Sequence, residues 1–96
     1  MSARSRLIEV LGEICGLLEG HGHPAFARRL REQQHIIASS AVPSKEFEAV
    51  RKRLHSVVPG MGGLADLWLE APTHEESVRL QERLESLADE LYALTR

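Results

Sequence analysis

Residues 73–94 read THEESVRLQERLESLADELYAL. Leu80, Leu84, Leu87, Leu91 and Leu94 recur at alternating spacings of four and three. That is the seam of an amphipathic α-helix lying along other helices. Thr73, followed three residues later by Glu76, forms a T-x-x-E capping box that marks the start. Glu75 and Arg79 stand in the orientation that favours an i,i+4 ion pair. A leucine stripe of this length needs partners to cover it, because a helix draws most of its stability from packing its apolar face.

The rest of the chain offers three such partners. Within residues 4–19, Leu7, Ile8, Leu11, Ile14, Cys15 and Leu18 fall on one stripe. Gly20 and Gly22 end that helix, and Pro24 suits the first turn of a second over 24–38. Its inward residues are Phe26, Ala27, Leu30, Gln34 and Ile37. Ser44 caps a third helix over 44–58 with Phe47, Val50, Leu54 and Val57 inside, and the last helix fills 73–95. The chain of 96 residues is 43% hydrophobic but only 4% aromatic, so the core is aliphatic. Short connections between amphipathic helices predict an all-α, compact four-helix bundle, one domain over residues 1–96.

The connection between helices three and four is the exception. Residues 59–72 read PGMGGLADLWLEAP and hold three glycines and the single tryptophan. A phosphate-binding loop follows a strand and ends in Gly-Lys-Ser/Thr. Here a helix precedes the glycines and no lysine follows. Gly60, Gly62 and Gly63 are therefore read as permitting a sharp reversal, with Asp66 accepting hydrogen bonds from loop amides. Leu64, Leu67 and Trp68 share a helical face, whereas Leu67 and Leu69 alternate as in an extended chain. An irregular or extended packed segment is expected.

Catalytic chemistry finds little support. Cys15 sits between Leu11 and Leu18 on the apolar stripe and reads as a core residue. His21 and His23 flank a glycine between helices, and no CxxC, HExxH or further ligand pattern accompanies them. His35, His55 and His74 stand alone on helix surfaces or ends. No catalytic, cofactor-binding or metal-binding residue is assigned, and the chain is expected not to be an enzyme.

Charge is uneven along the chain. Residues 1–58 hold nine Lys/Arg against six Asp/Glu, a balance of +3, and residues 59–96 hold three against eight, or −5. A nucleic-acid-binding regulator using RRLR (28–31) and RKR (51–53) on helices two and three is the alternative reading. Neighbouring carboxylates at Glu32 and Glu48 and an overall pI near 6.2 weigh against it. Glu9, Gly12 and Glu13 interrupt any signal-like apolar run near the N-terminus, so a cytoplasmic protein that does not engage a membrane is expected.

The segment GMGGLADLWL resembles the signature of a family of small bacterial proteins, Gly-Met-Gly-Ser, an apolar residue, Asn-Asp-Leu, then a further apolar residue and leucine. Gly60, Met61, Gly62, Leu64, Asp66, Leu67 and Leu69 match, while Gly63 replaces the serine and Ala65 the asparagine. The family is similar also in its leucine-rich first helix and in a last helix ending like Leu84, Leu87, Leu91 and Tyr92. Small helical proteins of this kind are often encoded beside secreted toxins and act as immunity proteins. The resemblance thus implies a protein partner, a cognate toxin with a basic active site. The residues expected to meet it are Asp66, Trp68, Glu70, Glu75, Glu82 and Asp89. The last three recur every seven residues opposite the leucine seam, and an aromatic among charges suits an interface. The competing reading of that acidic line is a solvated bundle face.

Overall fold

A computed structural model describes residues 3–40, 44–58, 63–64 and 67–96. Four helices run in order, α1 (Ala3–Gly20), α2 (Pro24–Ser39), α3 (Lys45–Val57) and α4 (His74–Leu94). Each end lies within one residue of the position expected from the caps and apolar periods. Among the described residues there is no β-strand. Successive contacts set the topology. Arg31 of α2 reaches Glu19 of α1, while Gln34 reaches the carbonyl of Ile8. Arg6 of α1 meets Glu90 of α4, and Glu13 meets Arg83. Arg51 of α3 reaches the carbonyl of Thr95, just beyond α4, and His55, one turn later, stacks on Tyr92. Rising numbers on one helix pair with falling numbers on the next, so the bundle runs up, down, up, down.

The core is aliphatic, as composition requires. Val10, Leu11, Ile14 and Leu18 of α1 are fully buried with Ile37, Leu54, Leu84 and Leu91 from the other helices. Cys15 is buried among them and its thiol donates to the carbonyl of Ala27 at 3.6 Å. Burial pushes that thiol up from its ordinary pKa, so it stays protonated and inert. Leu80 and Leu94, at the two ends of the α4 seam, are only half-buried. Gly12 interrupts the α1 stripe for a spatial reason. A Cβ there would stand 3.2 Å from Nε2 of Gln34, which crosses α1 to donate to Ile8 at 2.8 Å.

Helix ends are satisfied largely across the bundle. Ser44 and Thr73 accept from the amides of Phe47 and Glu76, at 3.1 and 3.2 Å, as their sequence positions imply. Neither α2 nor α4 carries a basic residue in its last turn. Arginines from neighbouring antiparallel helices supply that charge. Arg4 donates to the carbonyls of Ile37 and Ala38 at 3.1 and 2.7 Å, and Arg51 to that of Thr95 at 2.6 Å. A guanidinium at a helix C-terminus meets unpaired carbonyls and the negative end of the helix dipole. The expected Glu75–Arg79 pair is not among the described ion pairs, and both side chains are exposed.

Two predictions follow from this packing. Leu84→Ala removes a fully buried side chain at the centre of α4 and should destabilise the fold by roughly 2–5 kcal/mol in urea titration. Leu80→Ala, half-exposed, should cost clearly less; equal losses would contradict this placement of the core.

The second concerns acid. Hydrogen bonds from Arg31, Arg51 and Arg6 hold the carboxyls of Glu19, Glu48 and Glu90 below the usual carboxylate range. A carboxyl with a lower pKa folded than unfolded contributes its full stability above the unfolded value, about 4.3. That contribution is lost as pH falls through the lowered folded value. Thermal midpoints should therefore drop between about pH 5 and pH 3, and Glu90→Gln should show a smaller drop. Parallel curves for the two proteins would mean that the Arg6–Glu90 contact is absent in solution.

Candidate functional site

Between α3 and α4, residues 63–64 and 67–70 pack at one end of the bundle. Gly63 and Leu64 are buried, Leu69 is fully buried and Leu67 half-buried, while Trp68 is 49% exposed and Glu70 is exposed. Residues 67–70 carry no regular secondary structure, as the sequence led us to expect. Alternate side chains point in and out, the period of an extended chain.

An extended chain in contact with a core needs partners for its peptide groups. Side chains provide most of them here. Gln81 of α4 donates from Nε2 to the carbonyl of Leu67 at 2.8 Å and accepts from the amide of Leu69 at 3.3 Å. His23 bonds the carbonyl of Trp68 through Nε2 at 2.7 Å, and His21 that of Glu70 through Nδ1 at 2.8 Å. The amide of Glu70 returns a bond to the carbonyl of His21 at 3.1 Å. A carbonyl only accepts, so His21 carries its proton on Nδ1 and His23 on Nε2.

The α1–α2 turn is shaped for this task. The amide of His23 bonds the carbonyl of Leu18 at 2.9 Å, and Gly22 between them has φ of 100°. This is the left-handed glycine that commonly follows a helix. A Cβ on Gly22 would also lie 3.1 Å from Oε2 of Glu70, so the turn is doubly restricted to glycine. His23 occupies the N-cap position of α2 without capping it, since its ring is engaged by Trp68 instead. The histidines are thus the clamp on the extended segment, a role the sequence reading missed. The available signal was Gln81, a polar residue on the apolar stripe of α4 between Ser77 and Leu84.

Among the residues assigned to a partner surface, Asp66 lies outside the described residues. Trp68 stacks on His74 with ring centroids 6.3 Å apart and 25° between planes. Val78, one turn beyond His74, is also exposed, which extends the apolar patch along α4. Glu75, Glu82 and Asp89 are exposed and lie opposite the buried stripe, on a line about 21 Å long at 1.5 Å per residue. Glu70 turns instead towards Gly22. Of the basic residues considered for nucleic acid, Arg31 is tied to Glu19, and Arg51 to Glu48 and Thr95. His55 does not stand alone, because its ring lies 4.0 Å from that of Tyr92 and bonds Oγ1 of the buried Thr95 at 3.0 Å. No grouping of three or more His, Cys, Asp or Glu suited to a metal occurs among the described residues. No described helix is long and apolar enough to cross a membrane. Comparison with protein-family models, curated proteins and solved structures finds no match for the chain.

The clamp makes a direct prediction. The double change His21→Ala, His23→Ala removes two bonds to the carbonyls of residues 68 and 70. It should destabilise the fold by roughly 1–3 kcal/mol, at about 1 kcal/mol per bond. Trp68 should also become more mobile, seen as lower fluorescence anisotropy. An unchanged anisotropy with a lowered melting temperature would show that the rings support the bundle without holding the tryptophan.

Proposed function

We propose that the chain is a protein-binding module. The observation that carries this reading is Trp68, half in solvent on a segment held by side-chain hydrogen bonds. A large aromatic fixed in one orientation loses little conformational freedom on binding, and such residues dominate interface energetics. Its neighbours His74 and Val78 widen the apolar contact, and the Glu75–Glu82–Asp89 line supplies negative charge along one side. An apolar centre with a charged margin is the usual anatomy of a protein interface.

The finer reading is an immunity protein that covers the active site of a cognate toxin. It rests on the resemblance of residues 60–69 and on charge. A toxin acting on nucleotides or nucleic acid presents a basic cleft, and the acidic face of α4 complements it. Complementary charge raises the association rate and makes it sensitive to salt, whereas the buried aromatic governs dissociation.

The test is co-expression with, and binding to, a toxin domain encoded beside this chain. Survival of the host and a salt-dependent association rate are expected. The triple change Glu75→Lys, Glu82→Lys, Asp89→Lys should slow association by about tenfold or more without altering the far-ultraviolet spectrum. Trp68→Ala should speed dissociation by roughly thirtyfold, the equivalent of a 2 kcal/mol hot spot. If both variants bind and protect like the parent protein, the surface is wrong; failure of the parent to protect rejects the immunity role.

A further inference from the structure

The outward side of α4 carries a second heptad line besides the buried one. Glu75, Val78, Glu82, Glu85, Asp89 and Tyr92 recur at alternating spacings of three and four, and all are exposed. The large hydrophobic side chains exposed among the described residues are Trp68, Val78 and Tyr92. Val78 and Tyr92 belong to this line, two heptads and about 21 Å apart. Trp68 joins its near end by stacking on His74, one turn before Val78. Tyr92 is held at the far end by the His55 ring, 4.0 Å away. Apolar surface thus stands at both ends, with carboxylates between.

The carboxylates on the two sides of α4 differ in what they meet. Glu90, turned to α1, is bound by Arg6 at 2.7 Å. Glu75, Glu82, Glu85 and Asp89 close no ion pair among the described residues, and Arg79 beside them closes none either. Glu82 with Glu85 and Glu85 with Asp89 stand three and four residues apart, where like charges destabilise a helix. A cation placed between them removes that cost. Peptide hydrogen bonding decides what form the occupant takes. An extended chain lying on α4 would need donors for its carbonyls, and carboxylates only accept. Gln81, which does serve an extended chain, is already taken by residues 67 and 69. A helix brings its peptide groups already paired, and its side chains recur at the same three-and-four spacing.

We propose that this line of α4 docks a basic amphipathic helix of the partner protein. The inference rests on the protein-binding reading above and adds what the partner presents there. Lys or Arg side chains at heptad spacing meet Glu75, Glu82, Glu85 and Asp89. Apolar side chains at the two ends cover Val78 with the indole, and Tyr92. The span from His74 to Tyr92 is about 27 Å, room for about five turns of a partner helix. Charge brings that helix into register, and the apolar ends slow its departure.

The experiment is fluorescence-anisotropy titration of the full chain against a labelled helical peptide of three heptads, with Arg at positions a and e and Leu at d. Three peptides serve as comparisons: one with Glu for Arg, one of the same composition shuffled, and one with proline in the middle heptad. The basic helix should bind tightest at low salt and about tenfold or more weaker at high salt. The acidic, shuffled and proline peptides should be weaker by about tenfold or more, the last because proline breaks the helix. Glu82→Gln, Glu85→Gln and Asp89→Asn together should weaken binding about tenfold and flatten its salt dependence, with circular dichroism confirming the fold. Val78→Ser should weaken it about fivefold at either salt concentration, since that contact is apolar. Glu32→Gln with Glu46→Gln, exposed carboxylates on α2 and α3, should change nothing. Binding that the shuffled or proline peptide reproduces, or that the α4 variants leave unaltered, would overturn the proposal. So would tighter binding of a peptide of residues 44–58 together with dimers of the chain in sedimentation, which would make a second copy the occupant. If the neighbouring toxin domain binds through Trp68 while the basic helix does not, the helix is wrong and the protein-binding reading stands; if neither binds, both fall.

Discussion

Peptide groups that leave a helix and run along a hydrophobic core must still be hydrogen-bonded, and that constraint organises one whole end of this protein. Residues 67–70 cross the end of the bundle in extended form, with no β-strand among the described residues to pair with them. Gln81 serves as donor and acceptor for two of their peptide groups, and His21 and His23 hold two carbonyls. With those groups satisfied, Leu69 can be fully buried while Trp68 stays in solvent. The left-handed Gly22, the uncapped start of α2 and the polar top of the α4 stripe all serve this arrangement.

The opposite end obeys the same rule by another means. Carbonyls at the ends of α2 and α4 receive arginines from the antiparallel neighbours α1 and α3. The α1–α4 contact adds register. Arg6 faces Glu90 and Glu13 faces Arg83, one heptad apart and with the signs exchanged. A parallel arrangement of these helices would bring Arg6 towards Arg83 and Glu13 towards Glu90. Such exposed pairs add little stability, yet they penalise the wrong direction, which is how charges specify helix pairing.

These constraints leave a surface with unspent binding capacity on one part of the bundle. It is the indole with the acidic face of α4, suited to a macromolecular partner.

The four helices were legible in the sequence because their causes are local. The three-and-four leucine spacing, Ser44, Thr73, Gly22 and Pro24 each act within a turn or two of their own position. The interior position of Cys15 followed from the same periodicity. The exposure of Trp68 did not, since a short stretch between glycines and a proline has no period to read. Nor did the roles of His21, His23, Arg4 and Arg51, whose partners lie 33 to 49 residues away in the chain. Gln33 and Gln34 show the difference most simply. The two are identical and adjacent, yet a 100° step along α2 turns Gln34 to a carbonyl on α1 and leaves Gln33 facing α3 unpaired. Periodicity determined that this helix has an inside; only the packing of its neighbours decided which glutamine would find a partner there.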